Sequence, residues 1–592
     1  YAFGDAGKKS FIYGRTGNKP APGEWWIASM HSPTTPLASS AVLERDRYYI
    51  AFFAMPAVNA SGSGQGGNAT FGGVVTLATT GELPENGFPG RHPAAKDALT
   101  SGLYFPAFGA LKERDGHWNG LALKNWADAA VNARIFLMEQ DGGAGYLDVT
   151  IPQHSMYVEN LREMLPRFRR IAGDKPLGGA GCAISVALPA QADVDGFAVI
   201  AGEDGETAAY LARPWDGASA LPGACFPYLT ETFAESGFQN AISIFNPDGK
   251  ARNIRLDFQE QDGDRGTILV PAAGRFFKAD LSRLLGDVQK EPSNSGLLGD
   301  SRVSVTARAQ DENATLFGLA TLVRRASGES ASYLAVPAGE AESEVSGLHF
   351  PYFTALNGGD GYWNGLALIN GEDRDVSATL HVLEDSGNAG TLDIIIPARS
   401  MYVTELGRIV PEIRPTSGAH PFGAARAAIT VVLKEPSRVQ GFAMIARPDT
   451  GESASYLAQR SHRDAGGNTL RFPYFTEMNG KGGWWNGISV VDPDGIARGI
   501  RMYFEEEDGD RGVLILPFEG PGRFFTSELS AILPDIEADR ANRGVLGDAR
   551  VSIRIQADSP RARLLGFAMI GADGSDGPRR NSMGYLPLHM AD

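Results

Sequence analysis

Phe472-Pro473-Tyr474-Phe475-Thr476, followed by Trp484-Trp485-Asn486-Gly487-Ile488-Ser489-Val490-Val491-Asp492-Pro493, decides the fold because the pair of segments recurs. Phe350-Pro351-Tyr352-Phe353-Thr354 leads to Trp363-Asn364-Gly365-Leu366-Ala367-Leu368-Ile369-Asn370, and Phe226-Pro227-Tyr228-Leu229-Thr230 leads to Phe238-Gln239-Asn240-Ala241-Ile242-Ser243. Phe105-Pro106-Ala107-Phe108 leads to Trp118-Asn119-Gly120-Leu121-Ala122-Leu123. The starts at 105, 226, 350 and 472 lie 121, 124 and 122 residues apart. A period this regular makes the chain an array of one supersecondary unit before any single motif is weighed.

Working outward, each unit reads as a series of short strands. Proline holds the Phe-Pro opening extended, and the Trp-Asn-Gly segment is a second strand with a turn after it. In the last copy two alternating strands follow, Ile500-Arg501-Met502-Tyr503-Phe504 and Val513-Leu514-Ile515-Leu516, joined by Asp508-Gly509-Asp510-Arg511-Gly512. Asp-Gly is a strong hairpin signal, since such turns require φ > 0. A short helical turn is expected at 527–533, and strands at 549–555, 566–570 and 583–586 close the unit. Seven to eight short strands in about 120 residues predict a two-sheet antiparallel sandwich. The fold class is therefore all-β, a tandem array of antiparallel Ig-like β-sandwich domains.

The copies alternate in type. Ser155-Met156-Tyr157-Val158 matches Ser400-Met401-Tyr402-Val403, whereas Arg275-Phe276-Phe277 matches Arg523-Phe524-Phe525. The expected units are 105–225, 226–349, 350–471 and 472–592. Residues 1–104 form a truncated, degenerate copy with an N-terminal arm, because Trp25-Trp26-Ile27-Ala28 and Tyr49-Ile50-Ala51-Phe52-Phe53 echo only parts of the unit. The pattern Phe-Pro, Trp, Asp-Gly, Gly-Phe-Ala and Tyr-Leu-Ala resembles tandem β-sandwich repeat modules of large secreted bacterial surface proteins, mostly uncharacterised. That resemblance implies a surface location and this fold, and no activity.

Composition bounds the function. The net charge of −16, from 54 basic and 70 acidic residues, argues against nucleic acid and against electrostatic docking on anionic lipid. No apolar run approaches the roughly 20 residues that span a bilayer, so membrane insertion is not expected. The chain begins at Tyr1 without Met, and removal of a signal peptide with export is the expectation. In that setting Cys182 and Cys225, the two cysteines present, are disulfide candidates. Two cysteines exclude a four-thiolate zinc site.

Other candidate sites carry plain structural readings beside the functional ones. Asp262, Asp264, Asp508 and Asp510 sit in hairpins where turn chemistry explains them, with calcium as the alternative. The recurrent tryptophans read as plugs between two sheets. Trp484, the extra residue beside Trp485, is the candidate for stacking a sugar ring. No catalytic triad can be nominated and no cofactor is expected. The sequence thus predicts a non-catalytic extracellular structural or assembly protein, a surface or filament subunit. Its partner would be itself, through residues 1–20 donated as a strand, or another surface protein. The alternative is a carbohydrate-binding adhesin.

Overall fold

The computed structural model describes residues 101–589 apart from short loop segments, together with the backbone of five short strands within residues 1–100. Two compact units divide the chain, Tyr1–Lys96 and Asp97–Asp592. In the first, Ala2–Asp5 pairs antiparallel with Lys8–Phe11, and Trp26–Ser29, Tyr49–Phe53 and Gly72–Thr76 make a three-stranded sheet. The proposed donation of residues 1–20 to a neighbour falls largely outside the described residues.

The second unit holds four β-sandwiches, at 101–215, 223–337, 345–460 and 469–589. In repeat one the larger sheet has six strands, in the order Arg169–Ala172, Ala144–Ile151, Val131–Glu139, Cys182–Leu188, Ser101–Phe108 and Arg213–Trp215. The smaller has four: Met156–Asn160, Trp118–Asn125, Val194–Ala201 and Thr207–Leu211. All four repeats share this strand order, with antiparallel neighbours. Ten strands per repeat are described, more than the seven to eight expected, because the outermost strands of the large sheet run for only two to four residues. A helical turn stands at Leu529–Ile532, burying Leu529 and Ile532.

The recurrent motifs meet inside each sandwich. The Phe of Phe-Pro packs on the Gly of Gly-Phe-Ala: a Cβ on Gly196, Gly318, Gly441 or Gly566 would lie 2.5–2.8 Å from the ring of Phe105, Phe226, Phe350 or Phe472. The tyrosine before the final Leu closes the same layer. The hydroxyls of Tyr210, Tyr333, Tyr456 and Tyr585 donate to the carbonyls of Ala107, Tyr228, Tyr352 and Tyr474. Those carbonyls belong to the residue after each proline, or the equivalent. In all four repeats the strand pairing slips around that proline, at Phe105/Phe108, Phe226/Leu229, Phe350/Phe353 and Phe472/Phe475. A residue without an N–H is tolerated within a sheet at such a bulge. The Asn of Trp-Asn-Gly ties the opening strand to the next, Asn240, Asn364 and Asn486 accepting from the backbone N–H of Thr230, Thr354 and Thr476.

The array closes on itself. The last strands of the four small sheets, Thr207–Leu211, Glu329–Leu334, Glu452–Leu457 and Ser582–Tyr585, contact one another in cyclic order. Serine hydroxyls bridge them. Ser453 Oγ accepts from the Ser330 N–H and donates to the Ser330 carbonyl, both at 2.7 Å. Ser455 treats Ser332 the same way, Ser330 treats Thr207 the same way, and Ser582 Oγ donates to the Ser453 carbonyl. An open strand edge leaves unpaired backbone groups that invite mispairing. Here the next repeat's side chains occupy them.

Each small sheet also packs its outer face on the opening strand of the repeat before it. Phe442 stacks on Tyr228 at 4.7 Å, Phe567 on Tyr352 at 5.4 Å, and Phe197 of repeat one on Tyr474 of repeat four at 5.0 Å. Repeat one meets repeat two through Tyr104, stacked on Phe317 at 4.9 Å. Offset aromatic pairs of this kind add about 0.5–1.5 kcal/mol beyond their area. At the closing contact Lys124, fully buried, donates to Glu505 at 2.7 Å, and Arg471 forks onto both carboxylate oxygens of Asp193. The four repeats therefore form one head-to-tail ring. The alternation of types read from the sequence lies on top of that cyclic order.

Candidate functional site

Three places gather chemistry. The first is the set of equivalent positions facing each other across the four repeat boundaries. The residue before each Phe-Pro is Tyr104, Cys225, His349 or Arg471, and the residue before each Gly of Gly-Phe-Ala is Phe317, Gln440, Leu565 or Asp195. Tyr104 stacks on Phe317, while Gln440 Nε2 donates to Cys225 Sγ at 3.6 Å. His349 and Leu565 line one cavity of about 640 Å³. Arg471, paired with Asp193, lowers the pKa of Asp195 against the burial that pushes it up to about 6. One geometric position thus carries four different chemistries.

The cysteines correct the sequence expectation. Cys182 and Cys225 are both free and buried, and no disulfide joins them. Cys182 pairs in the middle of the first large sheet with Phe108 and Glu139. Cys225 lies on the opening strand of the second, where its sulfur also takes a hydrogen bond from Thr306. Burial pushes both thiols up, which keeps them protonated and unreactive.

The second place is a pocket at the boundary between repeats four and one. Trp484, half-buried, lines a cavity of about 350 Å³ with Thr476, Glu477 and Arg550 from its own repeat and Asn160 and Glu163 from repeat one. An equivalent pocket of about 470 Å³ between repeats three and four places Tyr362 and Arg447 beside Trp485. Trp363 and Trp485 correct the expectation of plugs between sheets, while the side chain of Trp118 lies outside the described residues. Trp363 packs against the core of repeat two and donates to Glu329 at 3.0 Å, and Trp485 packs against the core of repeat three. They seal boundaries between repeats. A wider hollow of about 840 Å³ at one end of the inner strands is lined by all four repeats, including Arg213, Glu340, Arg460 and His589. Arg460 there already donates to the carbonyls of Glu340 and Ser343.

The third place is the acidic hairpin. Gly263 and Gly509 take φ of +100°, and the N–H groups of Asp264 and Asp510 donate to Asp262 and Asp508 Oδ1 at 3.1 Å. These are the tight turns the sequence predicted. Behind each turn sits a buried glutamate that sequence reading passed over. Glu139, Glu260, Glu384 and Glu506 hold equivalent positions, and Oε1 of each accepts from the N–H of Gly178, Gly299, Gly423 or Gly547. In repeat three the second oxygen, Glu384 Oε2, accepts from Asn388 Nδ2 at 2.8 Å and from Ser386 Oγ at 3.1 Å. In repeats two and four those two donors are replaced by Asp262 and Asp264, and by Asp508 and Asp510. Glu260 Oε2 and Glu506 Oε2 are then buried without a hydrogen-bond partner. Burial, with the neighbouring carboxylates adding to it, pushes both glutamates up to about 8.

No family model matches the chain, and no curated protein matches it. Among solved structures, the crystal structure of Thermotoga maritima 1070 is similar over 20% of this chain and 95% of that one, at 14% identity and TM-score 0.14. The tetra-tandem repeat in the extending region of a large adhesion protein aligns over 79% of this chain and 94% of that one, at 11% identity and TM-score 0.10. The viral chemokine binding protein R17 encoded by rodent gammaherpesvirus Peru aligns over 65% and 90%, at 9% identity and TM-score 0.14.

Proposed function

We propose that the chain is a non-catalytic structural and assembly module of an extracellular surface protein, a preformed block on which other elements are mounted. The observation that carries this reading is ring closure. Each repeat offers a head and a tail, and both are taken within one chain, through the serine bridges of the inner strands and the aromatic stacks behind them. A head-to-tail contact builds an open filament unless its rotation closes. Closure at four uses up that surface, so any further assembly runs through other faces. Analytical ultracentrifugation of the purified chain over a hundredfold concentration range tests the reading. The expected result is a single compact species of 63.0 kDa. Growth into polymers with concentration would return the filament subunit to first place.

Trp484 favours a second reading, the carbohydrate-binding adhesin. Its half-buried ring borders a small pocket with carboxylate, guanidinium and hydroxyl groups, the mix that recognises sugar hydroxyls over an apolar ring face. A glycan array probed with the chain and with Trp484→Ala separates the readings. Signal lost in the variant supports the adhesin, and an array without signal retires it.

A further inference from the structure

We infer that the acidic hairpins of repeats two and four are paired calcium sites, one built from Glu260, Asp262 and Asp264 and the other from Glu506, Asp508 and Asp510 with Asp548. The first observation is convergence. One carboxylate oxygen from each of Glu260, Asp262 and Asp264 lies within 4.8 Å of the other two, and the same holds for Glu506, Asp508 and Asp548. Oxygens at that spacing can share one ion at the roughly 2.4 Å that calcium prefers.

The second observation is a buried group aimed into each cluster with nothing to hold. Glu260 is 1% exposed and Glu506 0%, and Oε2 of each lacks a hydrogen-bond partner. A buried polar atom left without a partner is costly, more so when charged, so such atoms are rare in stable folds. Repeat three shows what belongs there, because the amide of Asn388 and the hydroxyl of Ser386 supply hydrogens to the same oxygen. Replacing both donors by aspartates leaves that acceptor among converging carboxylates, Glu260 with Asp262 and Asp264 in repeat two and Glu506 with Asp508 and Asp548 in repeat four. Only a cation or a shared proton can take the place of those hydrogens.

Space favours the cation. Opposite each pair of aspartates is a glycine, Gly296 or Gly544. A Cβ built on Gly544 would lie 2.7 Å from Asp510 Oδ2 and 3.5 Å from Asp508 Oδ2, and one on Gly296 would lie 2.9 Å from Asp264 Oδ2. Irregular clusters of carboxylates suit calcium, whose coordination is flexible, better than magnesium, which requires a near-ideal octahedron. The two sites differ in one respect. Lys290 Nζ stands 3.4 Å from Asp264 Oδ2, whereas Ala538 occupies its place in repeat four. The repeat-four site therefore binds more tightly.

Isothermal titration of calcium chloride into the chelator-treated full chain tests this. The expected stoichiometry is two. Asp510→Asn abolishes the tighter site and Asp264→Asn the weaker one, each by at least tenfold in affinity, and the double variant takes none. These substitutions reproduce the Asn388 arrangement, so the double variant should melt in chelator no lower than the parent. A second readout needs no variant: calcium, but not sodium at equal ionic strength, raises the melting midpoint of the parent chain. Absence of calcium binding up to millimolar concentrations, with no rise in the midpoint, assigns a shared proton to each cluster and overturns the proposal. So does unchanged stoichiometry in the double variant.

Discussion

His349 shows how the ring charges a single residue with a cost in acid. It is 4% exposed, its Nδ1 lies 3.0 Å from Thr430 Oγ1, and burial with Arg563 nearby lowers its pKa to about 3. The unfolded chain takes up that proton near pH 6.5 and the folded chain does not. The folded value is depressed, so the stability tied to neutral His349 is complete above about pH 6.5. It falls as pH drops toward 3, by about 1.4 kcal/mol per unit. Urea denaturation at pH 7 and pH 4.5 should reveal the loss, and His349→Gln should reduce it relative to the parent. An equal pH dependence in the variant would assign the acid sensitivity to other groups.

At the scale of the element, the inner edge strands hold the molecule closed. Ser453→Ala removes both the acceptor for the Ser330 N–H and the donor to its carbonyl, in a buried setting. The expected loss is about 1–3 kcal/mol. Hydrogen exchange should show the Ser330 amide deprotected while the interior of repeat three stays protected. The strands themselves were legible: alternation, Phe-Pro openings and Asp-Gly turns each mark one, and Gly441 against Phe350 explains why two distant motifs recur together. Two-residue strands such as Gln289–Lys290 were not, because two residues carry no periodicity. The serines were visible as Ser-Ala-Ser-Tyr-Leu at 330–334 and 453–457. Their role was not, since a hydroxyl that serves another repeat's backbone leaves no local pattern. The buried glutamates were hidden for the same reason, each being held by a glycine N–H about 40 residues on.

At the scale of the whole molecule, a period proves repetition and says nothing of whether the copies run in a line or meet end to end. Closure depends on Lys124 finding Glu505, 381 residues away, and on Phe197 finding Tyr474. Separately expressed halves, 97–340 and 341–592, should therefore recombine into a one-to-one complex, read by size-exclusion chromatography with light scattering. A complex that never forms would mean that covalent linkage, and not these surfaces, holds the halves. The four unlike pairings also bear on how such a gene can change. A recombination that exchanged repeats two and four would bring His349 against Phe317 and Cys225 against Asp195, an imidazole on a phenyl ring and a thiol beside a carboxylate that has lost its guanidinium. Divergence at one site in each duplicate thereby works as an address, fixing the sequence of modules against shuffling long after the duplications that created them.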